Sequence, residues 1–141
     1  MGGPYLRNSG VHMADALFDT TVFIDYRRGD NGARALIQLV LDGAKSASFS
    51  ALTVAELWQG DMKDRQEELE YAALFAVMEE APLRSQDAKE AGCKIRKYTD
   101  NQKAQYFADA LIASTAECRN EPLFTRNGKH MSLFHPNVQT Y

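Results

Sequence analysis

"ALFDTTVFIDYRRGD", residues 16–30, decides the fold of this chain. Ala16 to Phe18 form a short apolar run ending at Asp19, the pattern of a buried strand reaching its carboxyl end. Thr20 or Thr21 then caps a helix that continues through Val22, Phe23, Ile24 and Tyr26 toward Arg28, and "GDNG" (29–32) breaks it. Asp19 sits awkwardly in this stretch, between Phe18 and the apolar Val22, Phe23 and Ile24. A buried carboxylate without partners costs several kcal/mol or shifts its pKa until it is neutral. Something around Asp19 is expected to compensate it.

Outward from this unit, strands and helices alternate. Leu36, Ile37, Val40 and Leu41 recur at helical spacing, and Gly43 stops that helix. "SASFSAL" (46–52) reads as a second strand, and Thr53 opens a helix over "TVAELWQG" with Val54, Leu57 and Trp58 on one face. A charged helix is expected from about Lys63 to Glu80, ended by Pro82. Ser85 or Asp87 caps the next segment, whose basic stretch holds Lys94, Arg96 and Lys97. "FADALIASTAE" (107–117) is strongly helical, "EPLFTRNG" (121–128) reads as a strand leading into a turn, and "NVQTY" (137–141) as an edge strand. Such alternation predicts an α/β fold with a central parallel sheet flanked by helices, in which ligands gather at the carboxyl ends of the strands.

The chain has 141 residues, 45% hydrophobic and 25% charged, enough for one domain with one sizeable core. A net charge of −3 and a pI near 5.6 argue against a protein that coats nucleic acid through overall charge. Cys93 and Cys118 lie in no zinc-ligand spacing and read as buried free thiols of a reducing compartment. No apolar run approaches the ~20 residues of a membrane span, and no signal peptide is evident. A cytoplasmic protein is expected. Residues 1–13, "MGGPYLRNSGVHM", read as a tag remnant or disordered leader, so the domain is placed at 14–141 and His12 carries no functional weight.

Three more polar positions fall where the chain leaves the sheet or enters a helix beside it: Glu56, Asp109 and Asn127. A parallel sheet can bring them to Asp19. Three converging carboxylates cannot all remain ionised without a counter-charge, and Mg²⁺, with its preference for hard oxygen ligands, supplies one. Each residue also has a plainer reading. "TVAE" (53–56) matches a capping box, Asp109 can serve a helix start, Asn127–Gly128 is a turn pair, and Asp19 can cap a helix. Thr20 and Thr125 can orient a water or a carboxylate, although Thr20 reads better as a cap. Asp25, further along the first helix, reads as solvated or salt-bridged.

"LFDTTVFIDYRRGD", "SALTVAELWQG" and "ADALIASTAECRNEPLFTRNGKHM", in that order, resemble the signature segments of PIN-domain ribonucleases, most closely the VapC toxins of bacterial toxin–antitoxin pairs. The resemblance runs from about Ala16 to the C-terminus. It implies a PIN-like, flavodoxin-like sheet and an endoribonuclease dependent on Mg²⁺ or Mn²⁺ that hydrolyses RNA phosphodiesters with a metal-activated water. It also implies a homodimer and a cognate VapB-type antitoxin. By position Asp19, Glu56 and Asp109 become the metal-binding and catalytic carboxylates. Asn127 takes the fourth catalytic place, often an aspartate in the family, as a weaker ligand. Arg126, Lys129 and His130 beside it become candidate contacts to RNA phosphates. No aromatic platform for base stacking is evident in the sequence. The alternative is a non-catalytic PIN-like module that binds RNA or a protein. A phosphatase of the haloacid-dehalogenase type is disfavoured, because Thr21 stands where a second aspartate is needed.

Overall fold

Ala16, Leu17 and Phe18 make up β1 (Ala16–Phe18), the middle strand of a five-stranded sheet in the computed structural model, which describes residues 14–60, 62 and 64–141. The other strands are β2 (Ala47–Ser50), β3 (Glu79–Ala81), β4 (Leu123–Phe124) and β5 (Val138–Gln139), in the spatial order β3-β2-β1-β4-β5. Every pairing is parallel, with Phe18 level with both Phe49 of β2 and Phe124 of β4. The chain therefore winds outward in one direction from β1 to β3 and in the other from β4 to β5. The crevice at that switch, beside β1 and β4, is where a doubly wound sheet places ligands. The central parallel sheet flanked by helices is the architecture expected above.

Among the described residues seven helices flank the sheet: α1 (Thr20–Arg28), α2 (Asn31–Leu41), α3 (Ala51–Gln59), α4 (Arg65–Ala76), α5 (Ser85–Ile95), α6 (Asp100–Cys118) and α7 (Gly128–Met131). The two-residue alternation of β1 divides the core. Ala16 and Phe18 point to one face, with Phe23, Leu36, Ile37 and Phe49, while Leu17 points to the other, with Ala110, Ile112, Ala113 and Leu123. On the first face Phe49 stacks on Phe75 at 4.3 Å between centroids and Phe23 meets Phe75 edge-on at 5.2 Å. On the second, α6 packs chiefly along α5, with its alanines among the buried residues of that face. Gly29, at φ 88°, ends α1 in the left-handed conformation that glycine tolerates.

Several sequence expectations are corrected. The helix expected from Lys63 to Glu80 is α4, capped by Asp64 Oδ1, which accepts from Glu67 N–H, and it ends at Ala76; Lys63 lies outside the described residues. Glu79–Ala81 instead forms edge strand β3 against β2. Thr53 does not open α3, because Ser50 Oγ accepts from Leu52 N–H and starts the helix at Ala51. The helix expected over 107–117 is longer, because α6 starts at Asp100, where Thr99 and Gln102 cap each other. Cys93 and Cys118 are free, as expected, yet Cys93 is exposed and Cys118 only half-buried. Residues 1–13, read as a leader, lie outside the described residues. Among the described residues no helix is long and apolar enough to cross a membrane.

Candidate active site

Asp19 is the N-cap residue of α1, with extended backbone (φ −67°, ψ 161°), yet its side chain caps nothing. It is 3% exposed. Its Oδ2 accepts from Thr21 Oγ1 at 2.9 Å and from Thr125 Oγ1 at 2.8 Å, so two hydroxyls from opposite ends of the sequence hold one oxygen. Each hydroxyl has a single proton. With both protons given to Asp19, the two threonine oxygens are left to accept, from Arg126 N–H at 3.0 Å (Thr21) and from Asn127 N–H at 3.0 Å (Thr125). Among the described residues no donor reaches Asp19 Oδ1.

Glu56 is tied in the same fashion. Thr20 Oγ1 donates to Glu56 Oε1 at 2.5 Å and lies 2.9 Å from Thr53 Oγ1. Because the Thr20 proton goes to the carboxylate, the buried Thr53 is the donor to Thr20. This arrangement overturns two plainer readings. Thr20 is not a helix cap, and "TVAE" is not a capping box, since Glu56 turns toward α1. Burial raises the Glu56 carboxyl above its ordinary range, the Thr20 hydrogen bond pulls it back, and the Asp19 charge raises it further.

Asp109 lies midway along α6, so it serves no helix start. Its Oδ2 stands 3.3 Å from His130 Nδ1 on α7. Burial, then the charge of Asp19, push its carboxyl up to about 6, against the pull of His130 and with a smaller push from Glu56. Asp19 at the end of β1, Glu56 of α3 and Asp109 of α6 therefore act on one another electrostatically. Among the described residues no group of three His, Cys, Asp or Glu side chains stands close enough to hold a metal ion in its present geometry. The donor chemistry nonetheless fits a hard divalent cation: three carboxylates, a surplus of negative charge, and an oxygen of Asp19 without a donor.

Asn127 precedes α7 and is exposed, with no capping bond from its side chain. With Tyr106, Arg126, Lys129, His130 and Leu133 it lines an open cleft of about 620 Å³, whose His130 reaches Asp109. The ring of His130 packs edge-on against Tyr106 at 4.7 Å, and its Nε2 is buried without a hydrogen bond among the described residues. An aromatic wall thus exists beside the carboxylates, although the sequence offered no sign of one. Arg126 is gripped by Asp25 through two bonds, Nε to Oδ2 at 2.9 Å and an Nη to Oδ1 at 2.6 Å. Asp25 is salt-bridged, as expected, and Arg126 holds its carboxyl below the ordinary range. The Tyr141 hydroxyl donates to the same Oδ2 at 2.6 Å. Among the described residues Lys129 makes no ion pair.

Sequence reasoning missed Thr21, Thr53 and Tyr141. The threonine doublet directly after Asp19 is a readable signal in retrospect, since two hydroxyls there can serve two carboxylates. Tyr141, more than a hundred residues from its partner, gives none.

A sequence profile described as the PIN domain matches residues 16–132. This chain belongs to the PIN domain family. Among characterised relatives, this PIN domain is similar to Ribonuclease VapC19 of Mycobacterium tuberculosis (strain CDC 1551 / Oshkosh), 28% identical over 123 residues that cover 87% of this chain and 96% of the relative. It is also similar to a toxin-antitoxin complex from Klebsiella pneumoniae, at a TM-score of 0.66 and 25% identity over 89% of this chain and 96% of that one. VapBC2 from Rickettsia felis bound to a promoter DNA fragment has a TM-score of 0.65 and 20% identity, covering 89% of this chain and 98% of that one, and shares the fold.

Proposed function

We propose that this PIN domain, residues 14–141 as a single domain, is a divalent-metal-dependent endoribonuclease and the toxin of a toxin–antitoxin pair. One observation carries the reading. Three carboxylates far apart in sequence act on one another's ionisation, and burial with the charge of Asp19 raises Asp109 to about 6. Such a cluster is short of positive charge, and Asp19, Glu56 and Asp109 are the oxygen donors that would hold Mg²⁺ or Mn²⁺. The bound cation would neutralise them and activate a water toward an RNA phosphodiester.

The protein's own groups prepare that site. Thr21 and Thr125 fix Asp19 by one oxygen and leave the other for a ligand. The Thr20 hydroxyl favours the ionised form of Glu56. His130 balances part of the charge on Asp109. Asn127 is a neutral, weaker oxygen donor at the rim. Of the three basic residues beside it, Lys129 is the one not engaged by a carboxylate among the described residues, and it is the first candidate to meet an RNA phosphate.

The ribonuclease named among the relatives and the toxin–antitoxin complex among the structural neighbours support the activity and a VapB-type antitoxin partner. A cytoplasmic homodimer completes the proposal. The test is cleavage of a labelled RNA panel with Mg²⁺ or Mn²⁺, with and without chelator, by wild type and by Asp19→Asn purified in parallel. Cutting by wild type alone, abolished by chelation, is the expected result. Equal cutting by Asp19→Asn would remove these carboxylates from the mechanism, and RNA binding without cleavage would favour the non-catalytic module.

A further inference from the structure

We propose that Asp25, Arg126 and Tyr141 form a positioning device that sets Asp19 for metal binding, a role that rests on the nuclease reading above. A continuous run of hydrogen bonds carries the inference. The Tyr141 hydroxyl donates to Asp25 Oδ2, and Arg126 grips both oxygens of Asp25 with its guanidinium. The backbone N–H of the same Arg126 donates to Thr21 Oγ1, and Thr21 donates to Asp19 Oδ2. On either side, Thr125 donates to that oxygen and Asn127 N–H donates to Thr125.

The geometry gives this run a job. Thr125, Arg126 and Asn127 leave the short strand β4, which by itself fixes little of the path that follows. The Asp25–Arg126 pair fastens that segment onto α1, the helix that Asp19 begins, and so keeps the two hydroxyls converging on Asp19. Tyr141 fastens the far side. A Cβ at Gly32 would come within 2.9 Å of the Tyr141 backbone carbon, so the last residue lies flush against the first turn of α2. Arg126 is thereby a positioning residue and not a phosphate contact. Two of its guanidinium nitrogens are committed to Asp25 in the parallel arrangement that arginine forms with carboxylates, and releasing them would strand Asp25, which is 8% exposed.

The test uses the full chain carrying Asp25→Asn, Arg126→Met, the double variant, Arg126→Lys and Tyr141→Phe. Mn²⁺ affinity is measured by calorimetry without RNA, kcat and KM on a single-stranded RNA at several salt concentrations, and Tm by circular dichroism. Misplacing a reacting group by about 1 Å costs about a hundredfold. With Asp19 loosened and not displaced, Asp25→Asn and Arg126→Met should each lose about tenfold in Mn²⁺ affinity and in kcat, with KM nearly unchanged. The double variant should be no worse than either single one, because both break the same device. Arg126→Lys should not rescue, since one ammonium cannot make two parallel bonds. Tyr141→Phe, which removes one hydroxyl and spares the fold, should shift both quantities the same way by about threefold.

Unchanged Mn²⁺ affinity in all the variants would overturn the proposal while leaving the nuclease reading intact. So would a raised KM and flatter salt dependence in Arg126→Met joined to a lowered KM in Asp25→Asn, the pattern of a guanidinium that holds phosphate. A wild-type chain that neither binds Mn²⁺ nor cuts RNA would instead overturn the nuclease reading, and this device with it.

Discussion

Asp109→Asn should make the metal-free protein more stable at neutral pH. Holding Asp109 ionised costs the fold free energy, because burial and then the charge of Asp19 lift its carboxyl from 3.8 to about 6. A change of that size corresponds to about 3 kcal/mol. Its side chain is 26% exposed, and solvent screening reduces the figure to about 1–2 kcal/mol. The sign follows from proton binding. Between the unfolded value near 3.8 and the folded value near 6 the native state binds the extra proton, so stability falls as pH rises through that window and the loss is complete above it. The isosteric amide carries no charge and escapes this loss. Thermal unfolding in chelator at neutral pH should therefore give a Tm about 4–8 °C higher for Asp109→Asn, taking about 4 °C per kcal/mol for a chain of this length. The gain should shrink steadily as pH falls through that window and vanish below the unfolded value of 3.8, where the wild-type carboxyl is protonated in both states. Saturating Mn²⁺ should reverse the order, because binding stabilises only a protein that retains its ligand. An Asp109→Asn variant no more stable than wild type in chelator at neutral pH would refute the electrostatic strain on which the site is argued.

Thr20→Val should cost about 1–3 kcal/mol in denaturant unfolding, since it leaves the buried Thr53 hydroxyl and Glu56 without their shared partner. The same change should raise the Glu56 pKa, read by NMR titration, because the Thr20 bond is what lowers it. At the opposite end of the sheet His135 is held neutral. Asn137 N–H donates to its Nδ1 at 2.8 Å, which leaves Nε2 as the donor to the Glu121 carbonyl at 2.9 Å, and burial lowers its pKa from 6.5. Its contribution to stability is complete above 6.5 and is lost as pH falls through the depressed folded value. His135→Gln should flatten the acid side of the stability curve, and an unchanged curve would show that His135 does not titrate on unfolding.

The parts of this fold that were legible in the sequence are those where a local pattern and its tertiary use agree. Ala16–Phe18 is apolar because both faces of β1 are covered, and Asp19 marks the strand's end by breaking that pattern. β3 was illegible for the opposite reason. Glu79 and Glu80 are exposed and continue the charge pattern of α4, and only pairing with β2 makes them a strand, so tertiary context decides against propensity. The start of α3 was misplaced because Ser50 and Thr53 are equally good caps in sequence, and Thr53 is drawn away by Thr20, a residue of another helix. Asp19 could be singled out as a charge in apolar surroundings, and Glu56 and Asp109 by their place beside expected strand and helix ends, with the resemblance to PIN-domain ribonucleases choosing among such positions. The hydroxyls that hold them could not be, since threonine is at home in strands and caps alike. Likewise Arg126 looks in sequence like a free basic residue, and its fate depends on Asp25 and Tyr141.

The bond from Thr125 to Asp19 spans 106 positions in the chain, and this separation bears on how the protein is made. A ribosome releases Asp19 and Glu56 well before the strand that docks beside β1 and brings Thr125. Until then β1 has a bare edge, Asp19 lacks one of its two hydroxyls, and the latch from Tyr141 does not exist. The site is ordered only once residues 123–126 have left the ribosome, so a protein whose proposed target is RNA carries its carboxylates past that RNA machine before the hydroxyl of Thr125 can fix Asp19.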